Sequence, residues 1–121
     1  MDMIDLFPRD IVDDGAVRRR FDGAIELWEQ AVMRFVQENT YAMLKEAAQQ
    51  RNVERMEREA HALKGLAGIL GFVSLYAASM QMVADCRARR CEALDSDWMA
   101  LDCAYRALIE TIDRCDKQLN A

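Results

Sequence analysis

The sequence predicts an all-α fold, an antiparallel four-helix bundle with a short additional N-terminal helix. Three observations carry that prediction. The 121 residues include one proline and five glycines, which leaves little of the chain for turns and irregular loops. The common residues, Ala, Leu, Met, Glu, Arg and Gln, favour helix. Apolar residues also recur at spacings of three and four along most of the chain, which is the signature of one buried helix face.

The length suits a single domain over 1–121 with one hydrophobic core. Hydrophobic residues make up 52% and charged residues 31%, an ordinary balance for a globular chain. The net charge of −5 argues against nucleic acid as a partner, because phosphate-backbone binding needs a basic face. The runs Arg18-Arg19-Arg20 and Arg87, Arg89, Arg90 read as cations complementing helix C-termini. No stretch of about 20 apolar residues is present to span a membrane. Met1 to Asp10 lacks the features of a secretory signal. A cytoplasmic location, no membrane partner and a monomer are expected.

Taken in order, residues 1–10 read as a loosely packed tail ahead of a core at about 11–118. Asp13 and Asp14 read as capping residues for a short helix through Arg20, and Asp22-Gly23 as a turn. From Ala24 the apolar stripe of Ile25, Leu27, Trp28, Ala31, Val32, Phe35 and Val36 is interrupted at Asn39-Thr40, as a kink or as the cap between two helices, and continues through Tyr41, Leu44, Ala47 and Ala48. It predicts one long helix to about Gln50, with a weak point at Asn39. Asn52 is an N-cap for the next helix, whose stripe is Met56, Ala60, Leu63, Ala67 and Leu70. Gly71 ends that helix in the position that favours a left-handed residue. Ser74 is the expected cap of the following helix, which carries Leu75, Ala78 and Met82 and fades among Arg87 to Glu92. Asp95-Ser96-Asp97 starts the last helix, with Trp98, Leu101, Ala104, Tyr105, Leu108, Ile112 and Cys115 facing inward.

The stretch from Glu59 to Gly71 carries the chemistry. It holds the only histidine, His61, a lysine one turn later and three of the five glycines. Glycine in a helix interior costs about 1 kcal/mol relative to alanine, so Gly65 and Gly68 call for a compensating role. At about 100° per residue, Lys64, Gly65 and Gly68 all lie within about 60° of His61, while Leu63, Ala67 and Leu70 point towards the core. This predicts an exposed imidazole flanked by a cation, on a face that another macromolecule can approach. A neutral imidazole is a nucleophile near pH 7, and Lys64 can hold the oxygens of a phosphoryl group on it. No Ser-His-Asp set, Gly-rich nucleotide loop or general base accompanies it, so a partner must supply the remaining apparatus.

The run His61-Ala62-Leu63-Lys64-Gly65-Leu66-Ala67-Gly68-Ile69-Leu70-Gly71 resembles the phospho-acceptor motif of histidine-containing phosphotransfer (HPt) domains. The segment from Arg20-Phe21-Asp22-Gly23 to Leu27-Trp28 and Phe35 is similar to that family's entry into its second helix. The resemblance implies that His61 accepts and donates the phosphoryl group, that Lys64 stabilises it, and that Gly65 and Gly68 make room for the partner. It implies receiver domains of response regulators and a (hybrid) histidine kinase as partners. It further implies no cofactor of the protein's own, the Mg²⁺ being supplied by the receiver, and no ATP-dependent kinase activity.

Leu66 and Ile69 depart from the pattern, standing where polar residues are common. Leu66 is expected to pack, and Ile69 to join an apolar docking patch. Glu57, one turn before His61, is a candidate hydrogen-bond partner for the ring. The phosphotransfer domain of chemotaxis kinases, which carries an orienting carboxylate on the next helix, fits less well because Met80 to Val83 contain none. A non-catalytic receiver-binding bundle is a competing reading, one that would have no need of both His61 and Lys64. A metal bundle needs ligand sets from several helices. One histidine with Glu57 and Glu59 does not supply them, and the irregularly spaced Cys86, Cys91, Cys103 and Cys115 read as reduced thiols. Met1 and the short tails hint at a stand-alone protein.

Overall fold

The computed structural model describes residues 1–121 as six α-helices: α1 (Asp14–Arg20), α2 (Ile25–Val36), α3 (Thr40–Gln49), α4 (Val53–Leu70), α5 (Val73–Arg87) and α6 (Leu94–Leu119). Short 3₁₀ turns at Met3–Leu6 and Cys91–Ala93 precede α1 and α6. The last four helices pack in chain order, α3 on α4, α4 on α5 and α5 on α6. Aromatic rings close the bundle between the first and last members. Tyr41 stacks on Tyr105 at 3.8 Å and on Trp98 at 5.7 Å, and Phe35 tilts against Tyr105 at 5.9 Å. The arm formed by α2 and α3 is therefore one side of a four-sided all-α bundle, with α1 lying at the end near Gly71. No helix is long and apolar enough to cross a membrane.

The expected single helix over 24–50 is instead two. After Val36 the backbone tightens into i→i+3 bonds, from Gln37 N–H to Arg34 and from Glu38 N–H to Phe35. The Glu38 carboxylate then accepts from the Asn39 N–H at 2.8 Å and the Thr40 hydroxyl at 2.7 Å. Those bonds serve donors at the start of a new helix. Asn39 occupies the cap position without a side-chain bond, so the acid before it does the capping.

The N-terminal segment also departs from expectation. Met3, Ile4 and Phe7 are buried, Met3 N–H donates to Glu29 Oε1 at 3.0 Å, and the Phe7 ring meets Trp28 edge-on at 5.7 Å. The apolar spacing of these three residues forms a small stripe that covers the ends of α2 and α6. Burying a large apolar side chain is worth about 1.5–3 kcal/mol, and this is enough to hold the segment in place.

The caps at Asp13 and Asn52 form as expected, each accepting a backbone N–H three residues on. At the start of α5 the cap position falls to Phe72 rather than Ser74, whose hydroxyl donates to the Asp10 carbonyl at 3.2 Å. Similarly, α6 begins at Leu94, one residue ahead of the acidic triplet. Gly71 takes φ +75° and ends α4. The turn it makes lets residues 11–13 lie beside 71–73, with Asp13 N–H on Gly71 O at 2.8 Å and Val73 N–H on Ile11 O at 2.9 Å. Trp28, fully buried, donates its indole N–H to Leu70 O at 2.9 Å. The C-terminal end of α4 is thus held from two sides.

The joint between α5 and α6 encloses two acids. Burial, followed by the hydrogen bond to Asp85, raises the Asp97 carboxyl to about 7. Asp85 is lowered to about 2 by that same bond and by donors from Gln81 and Arg90. Folded Asp97 therefore binds a proton that the unfolded chain releases near 3.8. Its stabilising contribution is complete below that pH and is lost as pH rises through about 7. The contribution of Asp85 has the opposite sign, being present above 3.8 and lost as pH falls towards about 2. In Asp97→Asn the new side-chain amide can donate to Asp85 without titrating. This variant is thus expected to melt roughly 4 °C above the parent at about pH 8, equivalent to about 1 kcal/mol, with the gap closing towards about pH 4. Thermal melts across that range check this, and parallel profiles would defeat it.

Candidate functional site

His61 lies in the middle of α4 and is exposed, while Leu63, Ala67 and Leu70 on the opposite side of the helix are buried. Lys64, one turn on, is half-buried and belongs to none of the eight ion pairs. Its ammonium is available to an anion on His61. At Gly65 a Cβ would meet nothing within 4 Å. Packing therefore does not require glycine there, and the position opens directly to solvent beside the ring.

Gly68 is different. A Cβ there would stand 3.2 Å from a Tyr76 ring carbon of α5, closer than side chains usually tolerate. Close helix packing, which the helix period alone argues against for this residue, accounts for it: the glycine seats Tyr76. A depression of about 370 Å³ lies alongside, lined by Arg20, Gly68, Gly71, Val73 and Tyr76 among others. Ile69 is 49% exposed, and Val73, Tyr76 and Met80 also show much of their apolar surface. Leu66 is half-buried and packs on the core. A larger apolar groove between α5 and α6, about 720 Å³, contains no residue of α4.

Glu57 does not bond to the imidazole. Its Oε2 accepts from Arg87 Nε at 3.2 Å, in a bridge between α4 and the last turn of α5. That bridge and the Gly68–Tyr76 contact set the antiparallel register of α4 and α5, which brings Met80 and Val83 level with Lys64 and His61. The one carboxylate on α5, Asp85, is buried and engaged with Arg90 and Gln81. No acid on α5 therefore orients the histidine. Sequence reasoning missed Tyr76 and Arg87 as members of this face. In the sequence Arg87 reads only as a cation for the helix dipole, and no pattern within either helix marks its reach across to Glu57.

The site is thus a bare nucleophilic ring with an unpaired cation one turn to either side, Lys64 after it and the exposed Arg58 before it, on a helix whose far side is packed. The family model for the Hpt domain matches residues 25–117, from the start of α2 almost to the end of α6, with His61 inside the match. The chain belongs to the Hpt domain family. No curated protein and no solved structure matches it. As an Hpt domain it has a histidine phosphotransfer role in phosphorelay, a process in which Hpt domains work with receiver domains and kinases. The Hpt match begins after α1, so Arg20 and the segment that clamps Gly71 lie outside the shared region.

Proposed function

We propose that this Hpt protein is a phosphorelay intermediate that takes a phosphoryl group from the aspartate of one receiver domain onto His61 and passes it to another. The observation that carries the reading is the exposed His61 with an unpaired Lys64 and an open Gly65 on one helix face. In the acceptance step an imidazole nitrogen lone pair forms the P–N bond. The P–O bond to the aspartyl carboxyl breaks, and the carboxylate leaves with the electron pair. Lys64 holds phosphoryl oxygens through a charge-assisted hydrogen bond. The receiver brings the Mg²⁺, and the chain needs no cofactor of its own. Arg20, Ile69 and Tyr76 form the flank on which the receiver rests. The protein acts in the cytoplasm as a monomer, downstream of a hybrid kinase.

The deciding experiment is incubation with a panel of phosphorylated receivers, followed by detection of acid-labile, alkali-stable phosphate on the protein. Transfer from at least one receiver is expected, and failure with all of them would reject the reading. Gly65 provides a sharper check. Gly65→Ala adds a methyl group to open space in a helix interior, so stability should rise by about 1 kcal/mol. The same methyl group displaces the approaching receiver, and transfer should slow by roughly tenfold or more. A variant that is more stable and equally fast would show that Gly65 leaves no room that the partner uses.

A further inference from the structure

The bridge between Glu57 and Arg87 shares a face with His61. Glu57 precedes His61 by four residues, which makes the two side chains neighbours about 6 Å apart along the helix axis. Arg87 approaches from α5 and commits only Nε, at 3.2 Å, leaving both terminal guanidinium nitrogens without a protein partner. The pair is half-exposed, at 57% for Arg87 and 36% for Glu57, and ion pairs of that kind exchange partners at little cost. A phosphoryl group on His61 would bring a charge approaching about −2 to within one turn of the Glu57 carboxylate. Like charges at that spacing repel. The cation that already neutralises Glu57 is an arginine, whose planar fork matches phosphate oxygens.

We propose that Arg87 joins Lys64 and the exposed, unpaired Arg58 as a cation of the phosphoryl site, drawn from Glu57 onto the phosphoryl oxygens when His61 is phosphorylated. The phosphoryl group then sits between Lys64 on the C-terminal side and Arg87 on the N-terminal side. Glu57 loses its partner, so the phosphorylated and free proteins present different charges to a receiver. This inference rests on His61 as the phosphorylated residue. A neighbouring bridge provides the comparison. Arg89 pairs with Glu54 at 2.9 Å, also across from α4, but Glu54 lies seven residues from His61. That separation is about 10 Å along the axis, about one screening length at moderate salt.

The test uses the full chain phosphorylated with phosphoramidate, from which His61 takes the phosphoryl group as the P–N bond to ammonia breaks and ammonia leaves. Phosphorus NMR across a pH series reads the titration midpoint of the phosphoryl oxygens. A nearby cation favours the doubly charged form and lowers that midpoint. Arg87→Ala should raise it by about half a unit, a shift discounted for exposure, and Arg87→Lys should recover most of the difference. Glu57→Gln, which frees Arg87, should lower it, while Glu54→Gln should leave it unchanged. An unchanged midpoint in Arg87→Ala, or a rise in Glu57→Gln, would overturn the proposal. Phosphoramidate needs no receiver. Failure of every receiver to transfer would therefore reject the relay reading alone, while an unmoved midpoint alongside normal transfer would reject only the role of Arg87.

Discussion

His61→Gln is expected to carry no acid-labile phosphate from any receiver while keeping its fold and its affinity for receivers. The loss should be complete rather than partial, because the chain has no second histidine to take over. A glutamine amide is no nucleophile. His61 is exposed, so the substitution should change stability by no more than about 0.5 kcal/mol. Three measurements on one preparation separate the possibilities: labelling by a phosphorylated receiver, binding of the same receiver, and thermal melting. Labelling equal to that of the parent would place the acceptor elsewhere. Loss of binding together with labelling would show that the ring serves the interface rather than the chemistry.

The largest stability effect is expected at Gly71. Its φ of +75° lies in the left-handed region, where an L side chain costs about 1–2 kcal/mol. A Cβ there would also stand 2.6 Å from Val17 Cγ2 and 3.3 Å from the Asp13 carbonyl oxygen. Val17 is buried and cannot swing aside, so overpacking adds about 1–3 kcal/mol. Gly71→Ala should therefore lose about 2–5 kcal/mol in denaturant unfolding. This is a large share of the roughly 5–15 kcal/mol typical of a whole domain. The comparison with Gly65→Ala is informative, since the same chemical change should stabilise one position and damage the other. A loss below about 1 kcal/mol at Gly71 would mean that α1 gives way at little cost.

Much of this was legible in the residues, and the exceptions share a cause. The α4 stripe, the caps at Asp13 and Asn52 and the stop at Gly71 rest on local chemistry that a linear reading captures. The exposed face of His61, Lys64 and Gly65 followed from the helix period alone. What the sequence hid depends on residues far apart in the chain. Met3 to Phe7 look like a tail until α2 and α6 provide a surface for them. Gly68 looks like clearance for a partner until Tyr76 lies against it, and Glu57 looks like a ligand of the ring until Arg87 reaches it. The break at Val36 differs in kind. The sequence marks a weak point at Asn39 but not a full break, because the apolar stripe resumes at Tyr41, and the side chain that divides the helix is the polar Glu38.

The junction at Gly71 also bears on the order in which the protein assembles. The pairs α3–α4, α4–α5 and α5–α6 join segments adjacent in the chain, and such local topologies fold quickly. The contacts of residues 10–13 with 71–74 and of the first turn with α6 close loops of about sixty residues or more, which costs more chain entropy. The helix bearing His61 is therefore expected to form among its neighbours first, with the N-terminal strap fastening afterwards onto a finished platform.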